Sequence, residues 1–95
     1  MLAPLADATG SARIACFHLA AGESVGAHDA AIGQLFCVVA GEGWVSGDDD
    51  LATPLHATEA AYFAPGEHHA AGTDSGLVAV VIEAPAVEVL AARST

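Results

Sequence analysis

The sequence predicts an all-β protein built from short antiparallel strands. Apolar runs rich in Val and Ile stay short, clusters of Gly, Pro and Asp separate them, and no stretch shows a clear helical pattern. Six to eight such strands are typical of a sandwich or a barrel, and the strand pattern alone does not choose between the two. With 95 residues, the chain is expected to be a single domain, 1–95.

The strands are predicted from apolar runs and the turn residues that bound them. Residues 1–10 are expected to be a loose lead-in, and Pro54 marks its segment as a short or edge strand. The turn residues of 40–43 predict a tight hairpin between the runs that flank them. The tail 86–93 fits either a strand or a short helix. The predicted strands are 13–20, 24–28, 35–39, 44–46, 51–57, 59–64 and 77–83.

Two of these strands, Leu35–Val39 and Leu77–Ile82, are apolar on both faces, so both faces must be covered. A second copy of the chain would cover the outer faces, and two-fold dimers are the commonest soluble oligomers. We therefore expect a homodimer. The alternative is that the terminal segments fold over these strands within one chain.

The charge distribution excludes several classes of partner. The net charge is −10, and the only basic residues are Arg13 and Arg93. Such a chain is repelled by phosphate backbones and anionic lipids, so we expect no nucleic-acid and no membrane partner. The sequence lacks the run of roughly 18 apolar residues that a membrane span requires. The N-terminus lacks a basic segment typical of a signal peptide, so a cytoplasmic location is the default expectation.

The two cysteines, Cys16 and Cys37, both lie in apolar strand patterns. Free cysteine is among the most buried residue types, so two buried, reduced thiols are expected. A disulfide would require the two strands to place them side by side. The sequence contains no Cys-x-x-Cys motif of a redox or zinc site.

The stretch from Gly22 to Gly41 contains the main candidate for a functional site. It carries Gly22, His28, Ala30, Gln34 and Gly41 in the pattern Gly-x5-His-x-Ala-x3-Gln-x6-Gly. Because side chains alternate along a strand, positions 28 and 34 share a parity and are expected to point the same way. The pattern resembles the first motif of the cupin family, Gly-x5-His-x-His-x3-Glu-x6-Gly. Ala30 replaces its second His, and Gln34 replaces its Glu.

A second, weaker resemblance follows later in the chain. The second cupin motif is Gly-x5-Pro-x-Gly-x2-His-x3-Asn, and Gly66 and His69 match its fixed positions. Thr58 stands where its first Gly is usual, and Thr73 where its Asn is usual. With both motifs in order, the chain is similar to a small cupin over about residues 12–84. The resemblance implies a cupin jelly roll, a double-stranded β-helix barrel of short antiparallel strands.

In cupins the two motifs place three His and one Glu around a metal. Carried over residue by residue, the resemblance implies that His28, Gln34 and His69 are the metal ligands here. Two imidazoles suit a first-row divalent metal (Fe, Mn, Ni or Zn), and an amide oxygen can join them. Without the carboxylate, the metal is expected to be held weakly or to have been lost.

Residues beside the motifs have less specific roles. His68 precedes His69, and on a strand only one of the two can point inward. We expect this to be His69. Glu67 is a candidate general acid or base, although a solvated turn carboxylate is the simpler interpretation. His18 and His56 lie outside both motifs and are expected to be structural or exposed.

Two functions agree with these residues, and the sequence does not decide whether the protein is an enzyme. The first is a metal-binding cupin with isomerase-like or oxygenase-like chemistry on a small molecule. The second is a non-catalytic cupin that binds or senses a small molecule after losing its metal. The cupin scaffold hosts both classes, so the fold does not discriminate between them.

Overall fold

A computed structural model describes residues 6–29, 32–49 and 51–89. Within these ranges the chain consists of strands and turns. All strand pairs are antiparallel. The strands are β1 (Ala6–Thr9), β2 (Arg13–Leu19), β3 (Ser24–Asp29), β4 (Gly33–Ser46), β5 (Thr53–His56), β6 (Ala60–Phe63), β7 (His68–Gly72), β8 (Leu77–Ala84) and β9 (Ala86–Val89). This confirms the predicted all-β class.

The long strand β4 links two halves of one curled sheet. Its first half pairs with β8 and β6, and its second half pairs with β7 and β5. Strand β2 extends the first half through β8, and β3 extends the second half through β7. The edge position predicted for the Pro54 segment agrees with β5, which pairs with β4.

The predicted hairpin at residues 40–43 is wrong, because β4 continues through this stretch as one strand. The register with β8 shifts between Val38 and Ala40, a bulge that bends the strand. Gly41 has a φ of 77°, and a Cβ there would overlap the carbonyl oxygen of Gly76. The glycine therefore lets β4 bend from one half of the sheet to the other while lying against a neighbouring turn.

The interior face of the sheet forms the main core. On β4, Phe36 and Val38 point into it, and Val81 and Ala79 lie opposite them on β8. The other buried members of this core are Val45 on β4, Leu77 on β8, and Leu55, Ala61, Phe63 and Ala71 on β5, β6 and β7. A smaller cluster of Leu35, Cys37 and Ala60 is buried on the outer face.

Strands β1 and β9 pair with each other and form a separate two-stranded ribbon. Residues 6–9 are therefore a strand, which corrects the expected loose lead-in; residues 1–5 lie outside the described ranges. The first part of the tail is also a strand, and β9 contacts β4. Sequence patterns did not predict β1 because its partner is distant along the chain.

The cysteines differ from the expectation. Cys37 is buried, but Cys16 is exposed, so the prediction of two buried thiols is wrong for Cys16. Both residues are paired in register with Val80, from opposite sides of β8. A whole strand therefore separates them, and both are free thiols. Cys16 is exposed because its side of β2 faces outward.

No helix long and apolar enough to cross a membrane occurs in the described part of the chain.

Candidate functional site

His69 lies at the start of β7, where several contacts orient its ring. It is 4% exposed, whereas its neighbour His68 is half-buried, in line with the alternation of side chains along a strand. Its Nδ1 lies 3.3 Å from the carbonyl oxygen of Glu67, and its ring stacks on Phe63 with centroids 4.2 Å apart. If Nδ1–H donates to this carbonyl, the lone pair of the neutral ring is on Nε2. Metal-binding histidines are commonly oriented by such a hydrogen bond.

His28 lies directly opposite His69 in the register between β3 and β7. Residues opposite each other in an antiparallel pair occupy the same face, with Cβ atoms about 4.5–5.5 Å apart. The backbone therefore brings these two predicted ligand positions together. The side chain of His28 and the position of Ala30 lie outside the described parts of the structure.

Gln34 reaches the same end of the barrel by a different route. It is 8% exposed and shares the interior face of β4 with Phe36 and Val38. In the register with β6 it is directly opposite Phe63, the residue that stacks on His69. Residues 28 and 34 belong to different strands, so alternation along one strand does not relate the directions of their side chains, contrary to the expectation from their shared parity. The pairing of β6 with β4 places Gln34 beside this site.

A carboxylate that the motifs did not indicate lies next to Gln34. Glu83, near the end of β8, is directly opposite Gln34 and is half-buried. It shares a face with Val81 and Ala79, which are buried in the core, so its position belongs to the interior face. On its other side, Arg13 of β2 is directly opposite Glu83.

These residues form a cross-strand row, defined here as Arg13, Glu83, Gln34 and Phe63. The row runs through β2, β8, β4 and β6 in that order. Its members lie where β2 and β4 begin and where β6 and β8 end, so all four are at one end of the sheet. Alternation along β8 from Leu77 would have predicted that Glu83 lies on the interior face. Because this strand is apolar on both faces, its sequence does not show which face is interior.

Glu67 and His68 have structural contacts. The backbone N–H of Ala64 donates to Glu67 Oε1 at 2.9 Å, which closes the turn before β7. The backbone N–H of His68 donates to Asp48 Oδ1 at 2.8 Å and ties this turn to the loop after β4. Glu67 therefore orients His69 in two ways, through its backbone carbonyl and through the turn that its side chain stabilises.

The predicted ligands are of a type that binds divalent metals, but the side chains that the structure describes do not by themselves complete a metal site. No group of three or more His, Cys, Asp or Glu side chains that could hold a metal ion occurs among them. His69 offers one imidazole, and the position of His28 would bring a second. Imidazole nitrogens suit Zn, Cu, Fe and Ni, whereas the amide oxygen of Gln34 is a weaker, neutral donor.

Two surface clefts lie away from this site. One, of about 390 Å³, is lined by His18, Glu23, Gly41 and Gly76 and lies near the bend of β4. The other, of about 310 Å³, is lined by Trp44, His56, Glu42 and Asp74. In the second cleft, His56 Nε2 lies 3.2 Å from Glu42 Oε2, and His56 Nδ1 lies 3.3 Å from Glu59 Oε1. Neither cleft includes Gln34 or His69.

Comparisons with solved structures identify the fold. The chain is similar to a cupin superfamily protein from Desulfitobacterium hafniense, with 22% identity, a TM-score of 0.72, and 83% of this chain and 74% of that chain covered. It is also similar to a Klebsiella pneumoniae protein with a double-stranded β-helix domain. The identity is 23% and the TM-score 0.73, and the match covers 90% of this chain and 79% of that chain. A third similar structure is a predicted oxalate decarboxylase from Thermotoga maritima. The identity is 23% and the TM-score 0.68, and the match covers 83% of this chain and 68% of that chain.

The chain therefore has the cupin fold, a double-stranded β-helix of antiparallel strands. This confirms the predicted jelly roll and, at the level of the fold, the resemblance to the cupin superfamily. No protein-family model and no curated protein matches the chain.

Proposed function

We propose that this protein is a small cupin that binds a divalent transition metal weakly, together with a small organic molecule, at the end of the barrel marked by His69. The observation that carries the proposal is the register of β3 and β7, which sets His28 directly opposite His69. With both imidazoles turned toward this face, the two residues would give a suitable start for a site that binds Fe, Mn, Ni or Zn.

Each residue has a defined part in this proposal. His69 ligates through Nε2, because its Nδ1 is directed at the carbonyl oxygen of Glu67. His28 provides the second nitrogen, and Gln34 provides an amide oxygen from β4. When bound, the metal would polarise a carbonyl or carboxylate oxygen of the organic ligand. The buried Phe63 stacks on His69 and keeps its ring from turning.

The three ligands that the motifs supply, His28, Gln34 and His69, are all neutral, so by themselves they should hold the metal weakly. A titration of metal-free protein with Ni²⁺, Zn²⁺ or Mn²⁺ by calorimetry tests this. We expect one site, lost in His28→Gln and His69→Gln and retained in His56→Gln, a control whose imidazole lies in a different cleft. Equal binding by all three variants and the parent protein would refute the assignment of the site.

A catalytic role of the isomerase or oxygenase type is a second candidate. Its support is that a predicted enzyme, an oxalate decarboxylase, has the same fold at 23% identity; that enzyme is of neither type, so the reaction class comes from the sequence resemblance alone. Turnover that appears only in metal-loaded protein would support it. A non-catalytic cupin would instead bind its small molecule equally well in the presence of a chelator.

A further inference from the structure

The exchange of Glu for Gln at position 34 removes the only carboxylate from the predicted ligand set. A neutral amide binds a divalent cation more weakly than a carboxylate, and it contributes no charge to the site. The cross-strand row, however, contains a carboxylate next to this position. Glu83 is directly opposite Gln34 in the register of β4 and β8.

The position of Glu83 is unusual for its strand. Residues that share its face on β8, Leu77, Ala79 and Val81, are 4%, 0% and 1% exposed and belong to the main core. A carboxylate that continues this apolar face loses part of its hydration, which is unfavourable unless a charge or hydrogen-bond donor compensates. Residues directly opposite have Cβ atoms about 4.5–5.5 Å apart, so the side chains of Glu83 and Gln34 begin close enough for both to contact one bound ion.

We propose that Glu83 is an additional residue of the metal site and supplies the negative charge that Gln34 lacks. The inference rests on the proposed function, because it assigns a role within the same site. In this proposal the anionic donor comes from β8, one strand away from the β4 position that the first cupin motif uses. His28 and His69 remain the donors on β3 and β7.

Arg13 provides the competing explanation for Glu83. It is directly opposite Glu83 on β2, and a cross-strand pair of opposite charges is stabilising by itself. However, Arg13 is exposed, so water and salt screen its charge. If Glu83 acts only as the partner of Arg13, removing either residue should affect stability alone. If Glu83 serves the metal, removing Arg13 should not weaken metal binding.

The experiment compares metal affinity in matched charge variants by calorimetry, with folding checked by circular dichroism. Glu83→Gln should weaken Ni²⁺ or Mn²⁺ binding at least about tenfold, as the loss of a group that supports a metal site does. Arg13→Gln should leave the affinity unchanged or raise it. Glu42→Gln, an exposed carboxylate on the part of β4 that pairs with β5, should leave it unchanged.

A double variant makes the test independent of any general loss of folding. Gln34→Glu combined with Glu83→Gln moves the carboxylate back to β4 at constant net charge, and it should restore the affinity that Glu83→Gln loses. Parent-level affinity in Glu83→Gln, or an equal loss in Glu42→Gln, would overturn the role of Glu83 while leaving the metal site intact. A parent protein that binds no metal would overturn the proposed function, and this inference with it.

Discussion

The imidazole of His69 lies almost parallel to the phenyl ring of Phe63, with ring centroids 4.2 Å apart and an interplanar angle of 14°. The contact joins β6 to β7. Gln34 is directly opposite Phe63 in the register of β4 and β6, so Phe63 neighbours both Gln34 and His69. Phe63 is fully buried, so this pair links the core to the candidate site.

Replacing Phe63 by Leu should therefore lower the free energy of unfolding and also weaken metal binding at the candidate site. Phe36→Leu is a matched control, since Phe36 is also buried in the core and lies on the same face of β4 as Gln34. Stacked aromatic pairs contribute about 0.5–1.5 kcal/mol beyond the burial of area. We expect urea unfolding to show a larger loss for Phe63→Leu by about that amount, and only this variant should weaken metal binding. Equal losses in both variants would mean that the stacking contributes nothing specific.

Gln34→Glu should raise the affinity for a divalent metal, by about tenfold, because it adds an anionic donor. Without metal, it should lower the free energy of unfolding by about 0.2–1 kcal/mol, since it sets two carboxylates directly opposite each other on β4 and β8. Calorimetry and urea unfolding with and without metal measure the two effects. An unchanged affinity would show that residue 34 does not contact the metal.

Thr58 has a φ of 76°, in the left-handed region, and stands where the second cupin motif has glycine. A β-branched residue in this conformation costs about 1–3 kcal/mol. Part of this cost is offset because glycine makes the unfolded chain more flexible. Thr58→Gly should therefore raise the free energy of unfolding by about 1 kcal/mol.

Thr53→Gly is the control for this change, because Thr53 lies in the regular strand β5 and should lose stability on the same substitution. Thermal and urea unfolding of both variants provide the comparison. A loss of stability in Thr58→Gly as large as that in Thr53→Gly would contradict the strain at residue 58.

The two thiols should differ in reactivity. Cys16 is exposed, whereas Cys37 is buried, and burial raises the pKa of the Cys37 thiol. The thiolate is the reactive form, so Cys37 is protected both by burial and by its raised pKa. A disulfide-exchange reagent should therefore label one thiol per native chain and two in denaturant. The Cys16→Ser variant should show none until it unfolds. Two thiols that react equally fast in native protein would argue that the outer face of β4 opens readily.

The homodimer expected from the two-faced strands stays a prediction. Within one chain, Leu35 and Cys37 are already buried on the outer face, which removes part of the original reason for a dimer. Ile14 and Val39 remain 68% and 54% exposed and supply the apolar surface that a second copy would cover. Sedimentation equilibrium should give twice the chain mass at low micromolar concentration, and Ile14→Glu should lower it. A monomer mass throughout the concentration range would indicate that the chain ends are sufficient cover.

Much of the fold was predictable because alternation and turn residues are local properties. The patterns located most strands of the barrel, including the edge strand at Pro54, and the order of the two motifs indicated the cupin jelly roll. Three of the failures share one cause. The pairing of β1 with β9, the continuity of β4 through Gly41, and the exposure of Cys16 all depend on which distant segments lie next to each other.

The sequence by itself predicted most of the strands, and its resemblance to the cupin motifs predicted that His69 rather than His68 points inward and that His28, Gln34 and His69 are the candidate ligands. The tertiary structure alone decided which of these positions meet. It set His28 opposite His69, Gln34 opposite Phe63, and Glu83 between Gln34 and Arg13. The physical reason is that alternation assigns a face within one strand, whereas the register between strands is set by backbone hydrogen bonds and core packing between residues far apart in the chain.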